Sequence, residues 1–279
     1  MTETLLVAPD TERIPVSKRF LMCRPDFFDV TYAINPWMDP TRPVDRGLAV
    51  AQWSALRATY LQHGHRVEVV PGEPGLPDMV FAANGGIAIG GRAMAARFTH
   101  AERQGETAAY RDWFVRGGFR EVVTAGGVNE GQGDFLLVGD VMLAATGFRT
   151  SLSSHQEVEE LFGIPVVSLE LVDPRWYHLD TALCVLDDTN VAYYPPAFSE
   201  ASRAMLRGLF PDAVIATRAD AEVLGLNAMS DGRHVFLTAA ATDLHGALRS
   251  RGYQPVPIQL SELLRAGGSV KCCTLEIHP

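Results

Sequence analysis

Asp134-Phe135-Leu136-Leu137-Val138-Gly139-Asp140-Val141-Met142-Leu143 is the stretch of this chain that decides its fold. A polar residue precedes an apolar run, a Gly-Asp turn follows, and a second apolar run returns, which predicts a β-hairpin. Polar residues at the head of apolar runs recur about every 45 to 56 residues, and such a period predicts a repeat architecture. If the units close into a ring, the polar heads converge at its centre and suit a cationic substrate. These heads are Asp78, Asp134, Asp180, Asn227 and Cys272.

The segments between the polar heads predict hairpins followed by helices and single strands. The predicted hairpins pair residues 87–89 with 93–95, 136–138 with 141–143, and 184–186 with 191–193, and residues 235–237 follow a similar turn. The predicted helices cover 45–63, 104–116, 199–209 and 243–251, and another begins at Ser154, which forms a capping box with Glu157. Further strands are predicted at 67–70, 120–124, 165–168 and 273–277. This order fits a ring of ββαβ units and also an open α+β sheet.

The composition is that of an ordinary globular protein. The chain has 279 residues, of which 47% are hydrophobic and 20% are charged, and we expect a single domain over 1–279. Its net charge of −9 argues against nucleic acid as a partner and against attraction to anionic membranes. The same charge is compatible with a basic small-molecule substrate and with ordinary solubility. The sequence is compatible with a homo-oligomer.

Neither the N-terminus nor the cysteines indicate export. The segment Met1 to Ser17 lacks a basic start, an apolar core and a cleavage site, so we expect no signal peptide. No run approaches the roughly 20 apolar residues that a membrane-spanning helix needs. The four cysteines have neither CxxC spacing nor the spacing of a disulfide framework, so we expect reduced thiols and a cytoplasmic location.

Cys272 and His178 are candidates for nucleophilic catalysis. Cys272 follows Gly267-Gly268-Ser269-Val270-Lys271, in which the glycines allow close approach of a ligand and Lys271 favours a thiolate. Taken alone, it is equally compatible with a small buried core residue. Its neighbour Cys273 should face the other side of the strand, and we expect it to be structural. His178 stands two residues before one of the periodic polar positions, in Trp176-Tyr177-His178-Leu179-Asp180. A cysteine and a histidine that are distant in sequence are the minimum for an activated thiolate.

Glu130 and Asp134 flank a glycine-rich turn, Glu130-Gly131-Gln132-Gly133-Asp134. Such a pair is compatible with a solvated loop, and also with carboxylates that orient a histidine and bind a cation. The glycines do not fit GxGxxG, and the carboxylates would repel phosphate, so we exclude a dinucleotide site. Signatures for zinc, calcium and a serine nucleophile elbow are also missing, and we expect no cofactor and no metal.

The chain resembles the guanidine-modifying, or amidinotransferase, superfamily, whose pentein fold is a five-fold pseudosymmetric α/β propeller of ββαβ units. Within that superfamily it is most similar to the arginine dihydrolase domain of cyanobacteria. The shared segments run nearly from end to end of the chain. They are Arg19-Phe20-Leu21-Met22-Cys23, Tyr32-Ala33-Ile34-Asn35-Pro36-Trp37-Met38, Pro77-Asp78-Met79-Val80-Phe81-Ala82-Ala83-Asn84, Glu130-Gly131-Gln132-Gly133-Asp134, Gly147-Phe148-Arg149, Tyr177-His178-Leu179-Asp180-Thr181, and Gly267-Gly268 with Lys271-Cys272.

This resemblance implies roles for individual residues. Cys272 would be the nucleophile, His178 the general acid and base, and Glu130 the acid that orients His178. The substrate would be free arginine, hydrolysed through a covalent thiouronium intermediate to ornithine, carbon dioxide and ammonia. The resemblance implies substrate contacts for Asn35, Asn84, Arg97 and Asp180, and further lining by Asp78, Phe81, Asp134 and Arg149.

Two positions bear on the subclass. Arginine deiminases and dimethylarginine hydrolases carry Asp where this chain has Asn84, whereas the dihydrolases carry Asn. The dihydrolase pattern has a His near Phe27, which this chain lacks. A dimethylarginine hydrolase or a deiminase, both giving citrulline, is therefore an alternative, as is a non-catalytic pentein that serves as a binding module. We expect the lid to lie in Asp26 to Asn35 or in the glycine loop 265–271.

Overall fold

The computed structural model describes residues 13–279, so residues 1–12 of the segment for which no signal peptide is expected lie outside the described residues. The strands are β1 (Arg19–Cys23), β2 (Arg66–Val70), β3 (Gly86–Ile89), β4 (Arg92–Ala95), β5 (Glu121–Thr124), β6 (Phe135–Val138), β7 (Val141–Thr146), β8 (Val166–Glu170), β9 (Leu183–Asp187), β10 (Asn190–Tyr193), β11 (Val214–Ile215), β12 (Met229–Ser230), β13 (His234–Thr238), β14 (Gln254–Ile258) and β15 (Leu275–His278). The helices are α1 (Arg46–Gln62), α2 (Glu106–Arg116), α3 (Leu152–Phe162), α4 (Leu179–Ala182), α5 (Glu200–Leu209), α6 (Arg218–Ala221) and α7 (Thr242–Ser250).

These elements form a mixed α/β fold in which one pattern recurs. An antiparallel strand pair is followed by a helix and then by a strand parallel to the second member of the pair. In residues 13–279 the pattern is found in β3-β4-α2-β5, β6-β7-α3-β8, β9-β10-α5-β11 and β12-β13-α7-β14. The last strand completes a fifth copy, because β15 pairs antiparallel with β1, and α1 and β2 follow. The ββαβ unit predicted from the sequence is therefore confirmed.

Helix α1 shows how the apolar pattern fixes a unit. Its buried side chains are Ala49, Trp53, Leu56 and Tyr60, which is the face that the 4, 3, 4 spacing predicts. The Asp45 carboxylate caps the helix by accepting from the Leu48 N–H at 2.8 Å. Each large apolar side chain buried in this way stabilises the fold by roughly 1.5–3 kcal/mol.

Three local predictions were wrong. Helix α3 begins at Leu152, so Ser154 lies within the helix and donates to the Val128 carbonyl instead of forming a capping box. The last strand begins at Leu275, because Cys272 and Cys273 lie in a turn. The run after Asp78 forms two 3-10 turns, and the strand follows only at Gly86.

The polar heads of the units lie in turns or in the short helix α4, ahead of the first strand of each unit, and are buried. Hydrogen bonds link the heads of neighbouring units. The Asn227 side chain donates to the Asp180 carbonyl, and the Leu179 N–H donates to Asp134. The repeat therefore concentrates polar side chains from distant segments in one buried region. None of the helices in residues 13–279 is long and apolar enough to cross a membrane.

Candidate functional site

Cys272 lies buried in a turn, with its thiol between two polar side chains. Its Sγ is 3.3 Å from Oδ2 of Asp180 and 3.0 Å from Nδ2 of Asn227. Burial raises the pKa of the thiol well above its ordinary value, and the Asp180 carboxylate raises it further. In the absence of a cationic ligand, this environment therefore favours the protonated thiol.

Asp180 is the second residue of the short helix α4, whose N-cap is His178. Burial raises the pKa of its carboxyl group to about 7, against the opposing effect of the Lys271 ammonium. Lys271 itself is buried and donates from Nζ to Gln132 and to the Thr274 carbonyl. Burial lowers the pKa of Lys271, and its Nζ is hydrogen-bonded to groups other than Cys272 and Asp180.

His178 and Glu130 form a buried pair. Nε2 of His178 lies 2.9 Å from Oε2 of Glu130, and the same oxygen accepts from Nη1 of Arg149 at 2.8 Å. Burial alone would raise the pKa of Glu130, but Arg149 and His178 outweigh it, and the pKa lies well below its ordinary value. Glu130 is therefore ionised and fixes the orientation of the imidazole ring.

Asp134 supports this pair from one side. Its Oδ2 lies 3.9 Å from Nε2 of His178 and accepts from the Thr150 hydroxyl at 2.7 Å. Its Oδ1 accepts from the Leu179 N–H at 3.1 Å, which ties the residue after His178 to the glycine turn. Burial raises the pKa of Asp134 to about 6, although His178 and Thr150 act in the opposite direction.

A second buried network surrounds Asn84. Nη1 of Arg103 donates to Oδ1 of Asn84 at 2.8 Å, and the same guanidinium binds both carboxylate oxygens of Glu106. Because arginine only donates, it fixes Oδ1 as the amide atom that faces Arg103, and Nδ2 faces the Glu130 carbonyl at 3.5 Å. A Cβ at Gly133 would collide with this Nδ2 and would lie 3.1 Å from Nδ1 of His178, so glycine leaves room where these two atoms approach each other.

Asp78 lies in the same network. Its Oδ2 accepts from the Tyr32 hydroxyl at 3.0 Å, and burial raises the pKa of the carboxyl group despite the nearby Arg103. Its backbone carbonyl accepts from Nη2 of Arg103 at 3.2 Å. Asp78 and Asn84 are thus held relative to each other by one buried arginine.

Asn35 and Phe81 contact the glycine loop that precedes Cys272. Nδ2 of Asn35 donates to the Ala266 carbonyl at 3.1 Å, and a Cβ at Gly267 would lie 2.8 Å from Oδ1 of Asn35. A Cβ at Gly268 would collide with the Phe81 ring. Gly267 has a φ of 83°, which also favours glycine. The two segments expected to act as lids therefore contact each other in this structure.

Arg97 and Arg149, for which the resemblance implies substrate contacts, lie in different surroundings. Arg97 is exposed, and its guanidinium donates to the Gly126 carbonyl, away from the buried network. Arg149 is buried with Glu130 on Nη1 and the Ile34 carbonyl on Nη2, and it lies over the Tyr177 ring. Phe27, at the position where the dihydrolase pattern has a histidine nearby, is partly exposed and faces Gly72.

Four buried polar atoms of this region have no hydrogen-bond partner within the described residues. They are Oδ1 of Asp78, Oδ1 of Asp180, Nδ1 of His178 and Oγ of Ser269. Unpaired buried polar atoms are unfavourable, and such atoms in native structures call for a ligand or water. Two carboxylate oxygens without partners suit a planar cation with several N–H donors. In residues 13–279, no group of three or more His, Cys, Asp or Glu side chains is arranged to hold a metal ion.

Sequence reasoning missed Arg103, Glu106 and Asn227 as members of the site. An Arg and a Glu three residues apart at the start of a helix normally indicate a surface pair, but here both side chains are buried. Asn227 carried a signal, since it is one of the periodic heads, but its local sequence does not mark it as a neighbour of the Cys272 thiol.

No family model matches the chain. It is 56% identical over 267 residues to the N(G),N(G)-dimethylarginine dimethylaminohydrolase of Mycobacterium tuberculosis, covering 96% of this chain and 88% of that protein. It is 38% identical to AgrE of Nostoc, a bifunctional arginine dihydrolase/ornithine cyclodeaminase, over 93% of this chain but only 38% of that longer protein.

Solved structures agree with these relatives. The N-terminal domain of ArgZ, an arginine dihydrolase from cyanobacteria crystallised with its substrate, superposes with a TM-score of 0.89 at 36% identity, covering 94% of this chain and 98% of that domain. A dimethylarginine dimethylaminohydrolase adduct superposes with a TM-score of 0.76 at 19% identity, covering 94% of this chain and all of that one, and it supports the fold alone. The chain therefore belongs to the guanidine-modifying superfamily with the pentein fold, and within it to the hydrolases that cleave guanidino carbon–nitrogen bonds.

Proposed function

We propose that this chain hydrolyses the guanidino group of free arginine as an arginine dihydrolase, with Cys272 as the nucleophile. The observation that carries this proposal is the position of the Cys272 thiol beside Asp180, whose Oδ1 is buried without a partner in the described residues. One guanidinium would satisfy both groups. Its positive charge favours ionisation of the Cys272 thiol, and its N–H groups can donate to the Asp180 carboxylate.

Binding of the guanidinium is assigned to carboxylates from two units. Asp180 and Asp78 each offer a free oxygen, and Phe81 and Asn35 lie against the loop that carries the nucleophile. Because the site is buried, we propose that segments 26–35 and 265–271 separate to admit the substrate. The bound positive charge offsets the effect of Asp180 on the thiol and so favours the thiolate.

The first half of the reaction replaces one nitrogen by sulfur. The Cys272 thiolate attacks the guanidinium carbon, the carbon–nitrogen bond to a terminal nitrogen breaks, and His178 gives that nitrogen the proton with which it leaves as ammonia. Nδ1 is the nitrogen available for this transfer, since Nε2 is held by Glu130. Water then attacks the thiouronium carbon, His178 takes its proton, and the carbon–sulfur bond breaks to give a ureido group.

A dihydrolase must hydrolyse this neutral ureido group as well, releasing a second ammonia, carbon dioxide and ornithine. The orientation of Asn84 supports that step, because Arg103 occupies Oδ1 and leaves Nδ2 as the atom that can donate to a ureido oxygen. An aspartate here would attract a guanidinium but repel a carbonyl oxygen. We therefore assign retention of the ureido intermediate to Asn84, whereas an aspartate at this position would release it.

The arrangement of the whole chain is part of the proposal. We propose that residues 1–279 form a single catalytic domain in which the five units close into a pseudosymmetric propeller. A cavity of about 1270 Å³ lined by residues of all five units, among them Arg19, Ile89, Leu136, Cys184 and Met229, supports this closure. The protein would act in the cytoplasm on a small molecule, a location compatible with four unpaired cysteines.

A second candidate function is hydrolysis of dimethylarginine to citrulline and dimethylamine. The identity of 56% to the mycobacterial dimethylarginine dimethylaminohydrolase favours it. The same Cys272, His178 and Glu130 would serve this reaction, which ends when water has displaced the sulfur and the ureido product leaves as citrulline. The two candidates differ in the substrate accepted and in the fate of the ureido group.

The test is a product count with arginine and with dimethylarginine. For the proposed function, one arginine yields one ornithine and two ammonia, and citrulline does not accumulate. Citrulline with dimethylamine from dimethylarginine, and no ornithine from arginine, would establish the second candidate instead. Cys272→Ala should abolish either activity, while Cys273→Ala, a change at the adjacent buried thiol, should retain it.

A further inference from the structure

Asn227 contacts both the proposed nucleophile and its acidic neighbour. Its Nδ2 donates to Sγ of Cys272 at 3.0 Å and to the backbone carbonyl of Asp180 at 3.1 Å. The side chain is fully buried and lies in the turn that precedes strand β12. One neutral amide therefore joins the segments that carry Asp180 and Cys272.

The other end of the amide holds the nucleophile loop. Oδ1 of Asn227 accepts from the backbone N–H groups of Ser269 and Cys272, each at 3.0 Å, and its carbonyl accepts from the Lys271 N–H at 3.2 Å. These donors fix the amide orientation, because an N–H group can only face an acceptor. Nδ2 is consequently forced towards the sulfur and cannot exchange places with Oδ1.

This geometry matters because the neighbouring carboxylate disfavours a negative sulfur. Asp180 lies 3.3 Å from Sγ, and the Lys271 ammonium is engaged by Gln132 and Thr274. The Asn227 N–H is then the side-chain donor that contacts Sγ within the described residues, and unlike a histidine or lysine it remains a donor at every pH. A hydrogen bond to an ionised acceptor is worth more than one to a neutral acceptor.

We propose that Asn227 is a catalytic residue that stabilises the Cys272 thiolate through Nδ2–H while its Oδ1 holds the loop that positions the sulfur. The inference rests on the proposed function, in which Cys272 attacks the guanidino carbon. It adds a residue from a fourth segment of the chain to Cys272, His178 and Glu130.

The donor and loop roles can be separated by Asn227→Asp. The carboxylate keeps an acceptor for Ser269 and Cys272 but replaces the donor to sulfur by an oxygen. We expect the pH midpoint of Cys272 alkylation by iodoacetamide, followed by mass spectrometry in the absence of substrate, to rise by at least about one pH unit. We expect kcat to fall about 10- to 100-fold, the range for one hydrogen bond to a charged group.

Asn129→Asp is the matched control. Asn129 is also buried, its Oδ1 accepts from the Gly131 N–H, and its Nδ2 lies 3.5 Å from the thioether sulfur of Met94. It should leave the alkylation midpoint of Cys272 unchanged. Asn227→Ser serves as a second variant, because its shorter side chain withdraws the donor without adding charge, and circular dichroism checks that each variant is folded.

A wild-type alkylation midpoint in folded Asn227→Asp or Asn227→Ser would overturn the proposal. The shift in Asn227→Ser carries the assignment of the donor, because the carboxylate added in Asn227→Asp also raises the midpoint by charge repulsion. The alkylation assay needs no turnover. If neither arginine nor dimethylarginine is hydrolysed but the midpoint still shifts, the proposed function fails while the assignment of Asn227 as a thiolate donor stands.

Discussion

Oδ2 of Asp180 lies 3.3 Å from Sγ of Cys272, so two groups that can each become anionic are buried in contact with each other. Ionising both groups is strongly unfavourable in free energy, because two negative charges at this distance repel each other in a region of low dielectric constant. The pair therefore retains a proton unless a cation is bound beside it, and it titrates as a unit. Binding of a guanidinium supplies the compensating charge, which couples activation of the nucleophile to recognition of a cationic substrate.

Asp180→Asn should separate thiol activation from substrate binding. Removing the carboxylate removes a like charge, so we expect Cys272 to be alkylated faster at pH 7 to 8, while kcat/KM falls at least about 100-fold because the guanidinium loses its partner. Alkylation rates and steady-state kinetics on the same protein measure both effects. Slower alkylation of the variant would contradict this account of the pair.

Asp180→Asn should also change how the stability of the protein depends on pH. The pKa of Asp180 is about 7 in the folded protein, above the ordinary value near 3.8, so its contribution to stability is fully present below about pH 4 and is lost as the pH rises through 7. Asp180→Asn should therefore stabilise the protein more at pH 8 than at pH 4, as measured by urea unfolding. Asp188→Asn, at an exposed carboxylate, is the control and should show no such difference.

Glu130→Gln should lower both kcat and stability, because Oε2 of Glu130 interacts with two side chains. Arg149 and His178 both bind Oε2, and an amide at this position cannot accept from both without turning its NH₂ group towards a donor. We expect kcat to fall about 10²- to 10⁴-fold and stability to fall by about 3–5 kcal/mol, since Arg149 loses its buried counter-charge. Steady-state kinetics and urea unfolding measure these effects, and Glu159→Gln, at an exposed side chain, is the control. Equal effects of Glu130→Gln and Glu159→Gln would refute the role assigned to Glu130.

Asn84→Asp should redirect the products. A carboxylate beside Arg103 repels the ureido oxygen, so the intermediate should leave as citrulline, and the ornithine-to-citrulline ratio from arginine should fall at least about 10-fold. Amino-acid analysis of the reaction mixture gives this ratio directly. Asn190→Asp, at the start of β10 far along the chain, should leave it unchanged. An unaltered ratio in Asn84→Asp would remove the basis for assigning dihydrolase specificity to this residue.

The sequence predicted the elements better than it predicted their contacts. Helix α1 and the hairpin β6–β7 follow from local apolar patterns and a Gly-Asp turn, and both were confirmed. The periodic heads pointed to Asp134 and Asp180, which lie in the buried region. Arg103 could not be found in this way, because its burial depends on Asn84 and Asp78, which are distant in sequence, and nothing in its own segment marks it as buried.

The exposed position of Arg97 has a related cause. A side chain at the end of a strand faces one of two sides, and a shift of one residue reverses that side. Arg97 lies just after β4 in an isolated bridge with Asn129, and its exposed guanidinium donates to the Gly126 carbonyl. The substrate contact that the resemblance implies for Arg97 stays a prediction.

The glycine loop before Cys272 packs against the Phe81 ring. A Cβ at Gly268 would collide with this ring, which is buried and lies edge-on to Phe28 at a ring distance of 6.2 Å. Gly268→Ala should therefore displace the loop that carries Cys272, lower stability by about 1–3 kcal/mol, and lower kcat more than the Tm shift alone explains.

Gly208→Ala is the matched control. Gly208 lies in helix α5 with open space around its Cα, so an added methyl group should leave kcat unchanged and raise stability by up to about 1 kcal/mol. Thermal unfolding and steady-state kinetics on both variants separate a steric effect on the nucleophile loop from a general effect of replacing glycine, and a fully active Gly268→Ala enzyme would show that the position of this loop does not limit the reaction.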